Sequence, residues 1–146
     1  MRVVGLDLGA ARIGVAISDP SGVVASPHSV LRRTGSHAAD HRAVAAVIEE
    51  YEAELLVVGL PRSLDGSLGR AATSTLTEVD ELATALAVPV ETVDERLTTV
   101  SAERSLRDMQ VRGAARRAAV DKVAAAILLQ SWLDGRPGRE GEGRLG

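Results

Sequence analysis

The opening eighteen residues, Met1 to Ser18, constrain the fold more than any other stretch of the chain. Val3, Val4 and Leu6 are apolar, so the first strand presents apolar side chains to both faces. Strands of this kind belong in the middle of a sheet that helices cover on both sides. Asp7 interrupts the run, and a carboxylate in a central strand is costly to bury unless its charge is compensated. Gly9 follows, a residue suited to a tight turn or a close backbone approach. Ile13, Val15 and Ile17 then alternate with smaller residues, as a second strand would. The short link from Leu8 to Arg12 makes the two strands an antiparallel hairpin, with Asp7 near the end of the first. Asp7 has two readings at this point. It caps the turn through nearby backbone N–H groups, as strand-end aspartates commonly do, or it faces a place where a cation or a reaction sits.

A chain of 146 residues suggests one domain that buries about two-thirds of its unfolded surface. The absence of cysteine excludes disulfides, thiolate nucleophiles and cysteine metal sites, and fits a reducing compartment. Met1-Arg2 leads straight into a strand without a signal-peptide pattern, and no apolar run is long enough to span a bilayer. The expectation is a cytoplasmic protein with no membrane partner. The net charge of −3 and isoelectric point near 5.6 give no global attraction to nucleic acid. Any such binding must come from a local basic patch. With no Phe, one Tyr and one Trp, base stacking on aromatic platforms is not the expected mode.

After the hairpin, Ser18-Asp-Pro-Ser-Gly22 signals a turn. Val23 and Val24, then Val30 and Leu31, suggest a third antiparallel strand bent near Pro27 and ended by Thr34-Gly-Ser36. Ser36 is an N-cap candidate for a helix with Val44, Val47, Ile48 and Tyr51 at i, i+3, i+4 and i+7. Glu54 to Leu60 reads as a strand buried on both faces, ending at Gly59-Leu-Pro61. After the loop Arg62-Ser-Leu-Asp-Gly66, a second helix places Leu76, Val79, Ala83 and Leu86 on one side. Val88 to Val93 is a short strand that runs into Asp94-Glu95-Arg96. Thr98 and Thr99 are N-cap candidates for a third helix reaching about Gln110. A basic link, Val111 to Arg117, precedes the last helix, Arg117 to Leu133, whose apolar face holds Val120, Val123, Ala124, Ile127 and Leu128. The expectation is one domain over residues 1–134, and a disordered Gly/Arg/Glu-rich tail over 135–146. The order β-β-β-α-β-α-β-α-α predicts an α/β, RNase H-like domain. Its mixed five-stranded sheet has three antiparallel strands, then parallel strands, with helices on both faces.

In that arrangement three acidic positions converge. Asp7 ends the first strand, Asp94 and Glu95 end the last, and Asp121 lies on the last helix beside its apolar face. Ligand sites in open α/β sheets gather at the carboxyl ends of the parallel strands. Converging carboxylates need a cation, and hard oxygen ligands suit Mg²⁺ or Mn²⁺. Two such ions would support phosphodiester hydrolysis. Plainer alternatives stand beside this reading. Asp94 and Glu95 could pair with Arg96 or cap the following helix, and Asp121 could pair with Arg117 or Lys122. His28, His37 and His41 read as solvated, and Trp132 as a core residue or an interface anchor. Arg104, Arg107, Arg112, Arg116 and Arg117 gather before Asp121, either as a solvated run or as a phosphate-gripping patch. Arg12 and Arg96 are further candidates for phosphate contacts.

Four segments resemble the YqgF family, also called RuvX: Gly5-Leu-Asp-Leu-Gly-Ala-Ala-Arg-Ile-Gly-Val-Ala16; Val57-Val-Gly-Leu-Pro61 with Asp65-Gly-Ser67; Asp94-Glu-Arg-Leu-Thr-Thr99; and Val120-Asp-Lys-Val-Ala-Ala125 running to Leu133. The likeness covers residues 1–134 in order. The first segment alone would not discriminate, since actin-like ATPases also open with Asp-x-Gly; the four together do. The resemblance implies an RNase H-like fold, a metal-dependent nuclease site, and a role in maturing the 5′ end of bacterial 16S ribosomal RNA precursor. It also implies a kinship with the RuvC junction resolvases. For a resolvase a homodimer would matter, since symmetric cutting of a four-way junction needs two sites related by a two-fold axis. Carried over by position, Asp7, Glu95 and Asp121 are the metal-binding and catalytic acids, with Asp94 a neighbour. RuvC places a carboxylate on its fourth strand where this chain has Gly59-Leu60-Pro61, so the second acid must come from the fifth strand.

Overall fold

The computed structural model describes residues 1–61, 68–97 and 114–136. Five strands form one mixed sheet: β1 (Val3–Leu8), β2 (Arg12–Ser18), β3 (Ala25–Arg32), β4 (Leu55–Leu60) and β5 (Val90–Asp94), in the order β3-β2-β1-β4-β5. β1 is central, antiparallel to β2 and parallel to β4, as the apolar run with Asp7 in it requires. Helices α1 (His37–Glu50) and α2 (Arg70–Ala85) cover one face, and α3 (Ala114–Gly135) covers the other. A 3₁₀ turn, Glu95–Leu97, follows β5. The RNase H-like, doubly covered sheet expected from the sequence is the fold observed. The third helix expected near 98–110, the loop 62–67 and the tail beyond residue 136 lie outside the described residues.

Strand alternation sorts the core into two layers. Val4, Leu6, Ile13, Val15, Leu56 and Val58 pack against Val44, Val47 and Ile48 of α1 and Val79 and Leu82 of α2. Val3, Ala16, Leu55 and Val57 pack against Ala125, Ala126, Leu129 and Leu133 of α3. Each fully buried Leu or Val contributes about 1.5–3 kcal/mol of transfer free energy. Ser36 caps α1 as expected, its hydroxyl accepting from the Ala39 N–H at 3.2 Å.

Three local expectations need correction. Val23 and Val24 are exposed and precede β3; their N–H groups donate instead to the Asp19 carboxylate at 2.7 and 2.9 Å. The strand bends where expected, through a register shift opposite Val15 and Ala16. On α2 the buried stripe is Ala72, Thr75, Glu78, Val79 and Leu82, not the side marked by Leu76 and Ala83. Helix α3 starts at Ala114, and its buried stripe is Ala124, Ala125, Leu128, Leu129 and Leu133, with Asp121 on it and Val123 exposed.

The seat of α3 explains that stripe. A Cβ at Gly5 would lie 2.8 Å from the Leu129 Cβ, and one at Gly59 would lie 2.4 Å from Leu128 Cδ1. One at Gly14 would lie 2.2 Å from the Asp121 carbonyl oxygen. Three strands therefore present bare backbone to the helix, and the run Ala124–Ala126 keeps the helix side thin. Gly14→Ala is expected to destabilise by about 1–3 kcal/mol, because backbone rather than a side-chain end must yield. Urea denaturation checks this against Val24→Ala, an exposed site expected to change stability by less than about 0.5 kcal/mol. Equal stability of Gly14→Ala and the parent would show that α3 is not seated on Gly14.

Candidate active site

Asp7 sits on the α3 side of the sheet, two residues beyond Gly5, and pairs in register with Gly14. Because Gly14 abuts the Asp121 backbone, the helix delivers Asp121 beside the end of β1. Both carboxylates line one cavity of about 550 Å³ at the carboxyl end of the sheet, together with Gly9, Arg33, His37, Pro61 and Glu78. Glu95 comes from the end of β5, in the turn just past Val93, which packs with Ala124 and Leu128. Among the described residues the cavity lining does not include Glu95. Asp7, Glu95 and Asp121 are 5, 6 and 4 % exposed. Three carboxylates withdrawn from water at one sheet edge demand positive charge nearby.

Arg12 supplies part of it. Its Nε–H donates to Asp121 Oδ2 at 2.7 Å, with the Asp121 side chain 6 % exposed. Asp121 is thus tied to the hairpin tip, a partner that the sequence did not offer beside Arg117 and Lys122. Arg12, expected to contact phosphate, is engaged by a site carboxylate. Asp94 follows the plainer reading: Arg96 grips it with Nη2–H at 2.6 Å, Nε–H at 3.1 Å and backbone N–H at 2.9 Å. Asp94 and Glu95 therefore divide their roles: the exposed pair Asp94–Arg96 is local, while Glu95 turns inward. Arg107 and Arg112 lie outside the described residues. Arg116 and Arg117 fall on the first turn of α3, where only the backbone is described.

The sequence reading missed a second charged cluster across the cavity. Arg33, just past β3, donates from Nη1 and Nη2 to the two Glu78 oxygens at 2.6 and 2.8 Å, and from Nε to the Gly9 carbonyl at 3.0 Å. Asp40 accepts from the Thr34 N–H at 3.0 Å and the Thr34 hydroxyl at 2.9 Å, with Arg33 at 3.5 Å. His41, expected to be solvated, is buried, with Nε2 2.8 Å from Glu78 Oε2. His37 is exposed and pairs with Glu81 at 2.7 Å; His28 is half-buried against Tyr51. The available signal was the spacing of Glu78, which falls between Thr75 and Leu82 on the core stripe of α2.

Burial opposes ionisation of Glu78, but hydrogen bonds from Arg33 and His41 outweigh it and hold the carboxyl below its ordinary range. Burial likewise opposes ionisation of Asp40, and the Thr34 and Arg33 donors prevail there. The Glu78 hydrogen bond raises Arg33, and the Glu81 hydrogen bond raises His37.

The family model described as RuvX, Holliday junction resolvase, matches residues 1–135. The chain belongs to the RuvX family. A protein of Mycobacterium sp. strain KMS, provisionally named a pre-16S rRNA nuclease, is 48 % identical over 149 aligned positions, spanning 97 % of this chain and 88 % of the relative. A relative from Mycobacterium tuberculosis strain ATCC 25177 / H37Ra, with the same provisional name, is 49 % identical over 142 positions, spanning 92 % and 79 %. Among solved structures, Thermus thermophilus RuvC in complex with a Holliday junction substrate superposes with a TM-score of 0.58 at 18 % identity, covering 97 % of this chain and 96 % of that one. At that identity the match speaks for the fold. No helix among the described residues of this RuvX protein is long and apolar enough to cross a membrane.

Two depressed carboxylates make the folded state bind fewer protons than the unfolded one. Their contribution is therefore present above the ordinary carboxylate pKa of about 4 and is lost as pH falls through the lower folded values. Stability measured by urea denaturation should fall steeply below about pH 4. Arg33→Ala, which leaves Glu78 and Asp40 buried without their guanidinium, should cost about 3 kcal/mol at pH 7 and flatten that acid limb. A parallel pair of pH profiles would show that Arg33 does not set these two groups.

Proposed function

We propose that this RuvX protein is a metal-dependent endonuclease that hydrolyses phosphodiester bonds of precursor 16S ribosomal RNA during 5′-end maturation, in the cytoplasm. The observation that carries the reading is the pair of buried carboxylates, Asp7 and Asp121, on one cavity at the carboxyl end of an RNase H-like sheet. Family membership and the names of the relatives support the chemistry and the substrate class. The donor set fits hard divalent ions: carboxylate oxygens, half-enclosed, with no thiolate in the chain.

In this reading Asp7, Glu95 and Asp121 are the catalytic acids that hold Mg²⁺ or Mn²⁺. The ions would supply a nucleophilic water and neutralise charge at the scissile phosphate. Gly14 and Gly5 let α3 bring Asp121 to the site, and Arg12 holds the Asp121 carboxylate in place. Arg12, Arg96, Arg107, Arg112, Arg116 and Arg117 form the phosphate-binding set, which positions the nucleic acid without reading bases.

The test incubates the parent and the variants Asp7→Asn, Glu95→Gln, Asp121→Asn and Asp94→Asn with Mg²⁺ or Mn²⁺ on precursor rRNA, single-stranded RNA and four-way DNA junctions. The first three variants should lose activity by on the order of 100-fold or more. Asp94→Asn should cost far less, because Arg96 already occupies that carboxylate. Cleavage confined to junctions would replace this reading with a resolvase, for which a homodimer is then required. Loss of activity in Asp94→Asn with Glu95→Gln active would reverse the two roles. Arg112→Ala with Arg116→Ala should weaken binding about equally across sequences and flatten the salt dependence by about 0.9 for each phosphate no longer neutralised. An unchanged salt slope would remove this pair from the binding set.

A further inference from the structure

The facing surfaces of α1 and α2 bring together a second set of metal-ligating groups, chemically unlike the carboxylates of the sheet edge. His37 and His41 are four residues apart on α1, so their imidazoles share one helix face, with ring centroids 5.6 Å apart. Glu78 faces them from α2, and one ligating atom from each of His37, His41 and Glu78 lies within 4.8 Å of the others. His41 Nε2 and Glu78 Oε2 are 2.8 Å apart, close to the separation of two neighbouring ligands on one ion. Glu81, one turn beyond Glu78, engages His37 Nδ1 at 2.7 Å. A carboxylate at one ring nitrogen is the usual device for orienting an imidazole whose other nitrogen binds a metal.

We infer that His37, His41 and Glu78 form a binding site for a borderline divalent transition-metal ion such as Zn²⁺, linking α1 to α2, with Glu81 as the group that orients His37. The charge inventory favours a cation. Asp40, Glu78 and Glu81 set three carboxylates against the one guanidinium of Arg33, leaving two negative charges in surplus beside neutral imidazoles. A single divalent ion balances that surplus. Arg33 does not block it, because a carboxylate offers about four lone-pair positions. Arg33 uses one on each Glu78 oxygen, and the ion takes the position on Oε2 that now meets His41. Two imidazoles and a carboxylate select Zn²⁺, Co²⁺ or Ni²⁺ over Mg²⁺, whereas the all-oxygen set of Asp7, Glu95 and Asp121 has the opposite preference. The two sites are therefore separable by the metal used as well as by mutation.

The experiment titrates the full chain with Co²⁺, whose visible absorption reports imidazole ligation, in the presence of excess Mg²⁺ to fill the carboxylate site. His41 is buried, so the exposed His37 carries the mutational test, with circular dichroism as the check on folding. The parent should bind Co²⁺ saturably at one equivalent, and Zn²⁺ should displace it. His37→Gln should weaken binding by at least about tenfold, and Glu81→Gln by about tenfold, while Asp7→Asn should bind as the parent does. Zn²⁺ should also raise the Tm of the parent and of Asp7→Asn, but not that of His37→Gln. Failure of the parent to bind Co²⁺ saturably, undiminished binding by folded His37→Gln, or loss of binding in Asp7→Asn would each overturn the assignment.

Discussion

The site depends on how closely α3 lies against the sheet. Helices normally rest on strands through interdigitated side chains, with side-chain layers setting the separation. Here Gly5, Gly14 and Gly59 withdraw that layer, and the Asp121 backbone comes within contact distance of β2. A carboxylate has a short reach. Asp121 can share a cavity with Asp7 only because nothing stands between the strand backbone and the helix backbone. The glycines are thus placed by the geometry of the acids as much as by the needs of packing.

That approach creates a charge problem, which the chain answers in two places. At the sheet edge, Arg12 crosses from the hairpin tip to Asp121, so the β1–β2 turn and α3 are locked by the same bond that compensates a buried acid. Across the cavity, Arg33 joins Glu78 of α2, Asp40 of α1 and the Gly9 carbonyl of the same turn. Buried ion pairs contribute little net stability, since desolvation offsets most of their attraction. Their effect here is to fix position. Gly9 lies two residues past Asp7, and both arginines act on the turn that follows it. The element that carries Asp7 is restrained from α1, α2 and α3 together.

The strands, their order and the double-sided cover were legible because each rests on local pattern. Val3, Val4 and Leu6 announce a central strand, and the Leu8–Arg12 link announces a hairpin. Asp7 and Asp121 were legible as exceptions, charges set within apolar runs. What escaped the reading was partnership. Arg33, Asp40, His41 and Glu78 come from three elements, and nothing in their separate neighbourhoods states that they meet. Glu78 was further hidden by an error of one position in the face of α2. Leu76 and Leu86 drew the stripe toward themselves, whereas the helix buries Thr75 and Leu82 and accepts a charged residue between them. Likewise the sequence offered Arg117 and Lys122 as partners of Asp121 because helical neighbours are visible in one dimension. Arg12 is 109 residues away and adjacent only in the fold.

The two charged clusters also differ in a way that bears on how one small sheet keeps two tasks apart. Asp7, Glu95 and Asp121 sit at strand ends and on α3, where each acid is presented by a different element and carboxylate oxygens make up the whole ligand set. Arg33, Asp40, His41 and Glu78 sit on α1, α2 and the end of β3, where guanidinium, hydroxyl and imidazole answer the carboxylates directly. Members of both clusters line the same cavity, so the composition of its two walls decides which ion each wall takes. A carboxylate already shared by Arg33 and His41 competes weakly for a hard, strongly hydrated ion such as Mg²⁺. The paired wall therefore leaves such an ion to the carboxylates of the sheet edge, and a divalent ion held by its imidazoles would add to the field that draws a phosphate toward them.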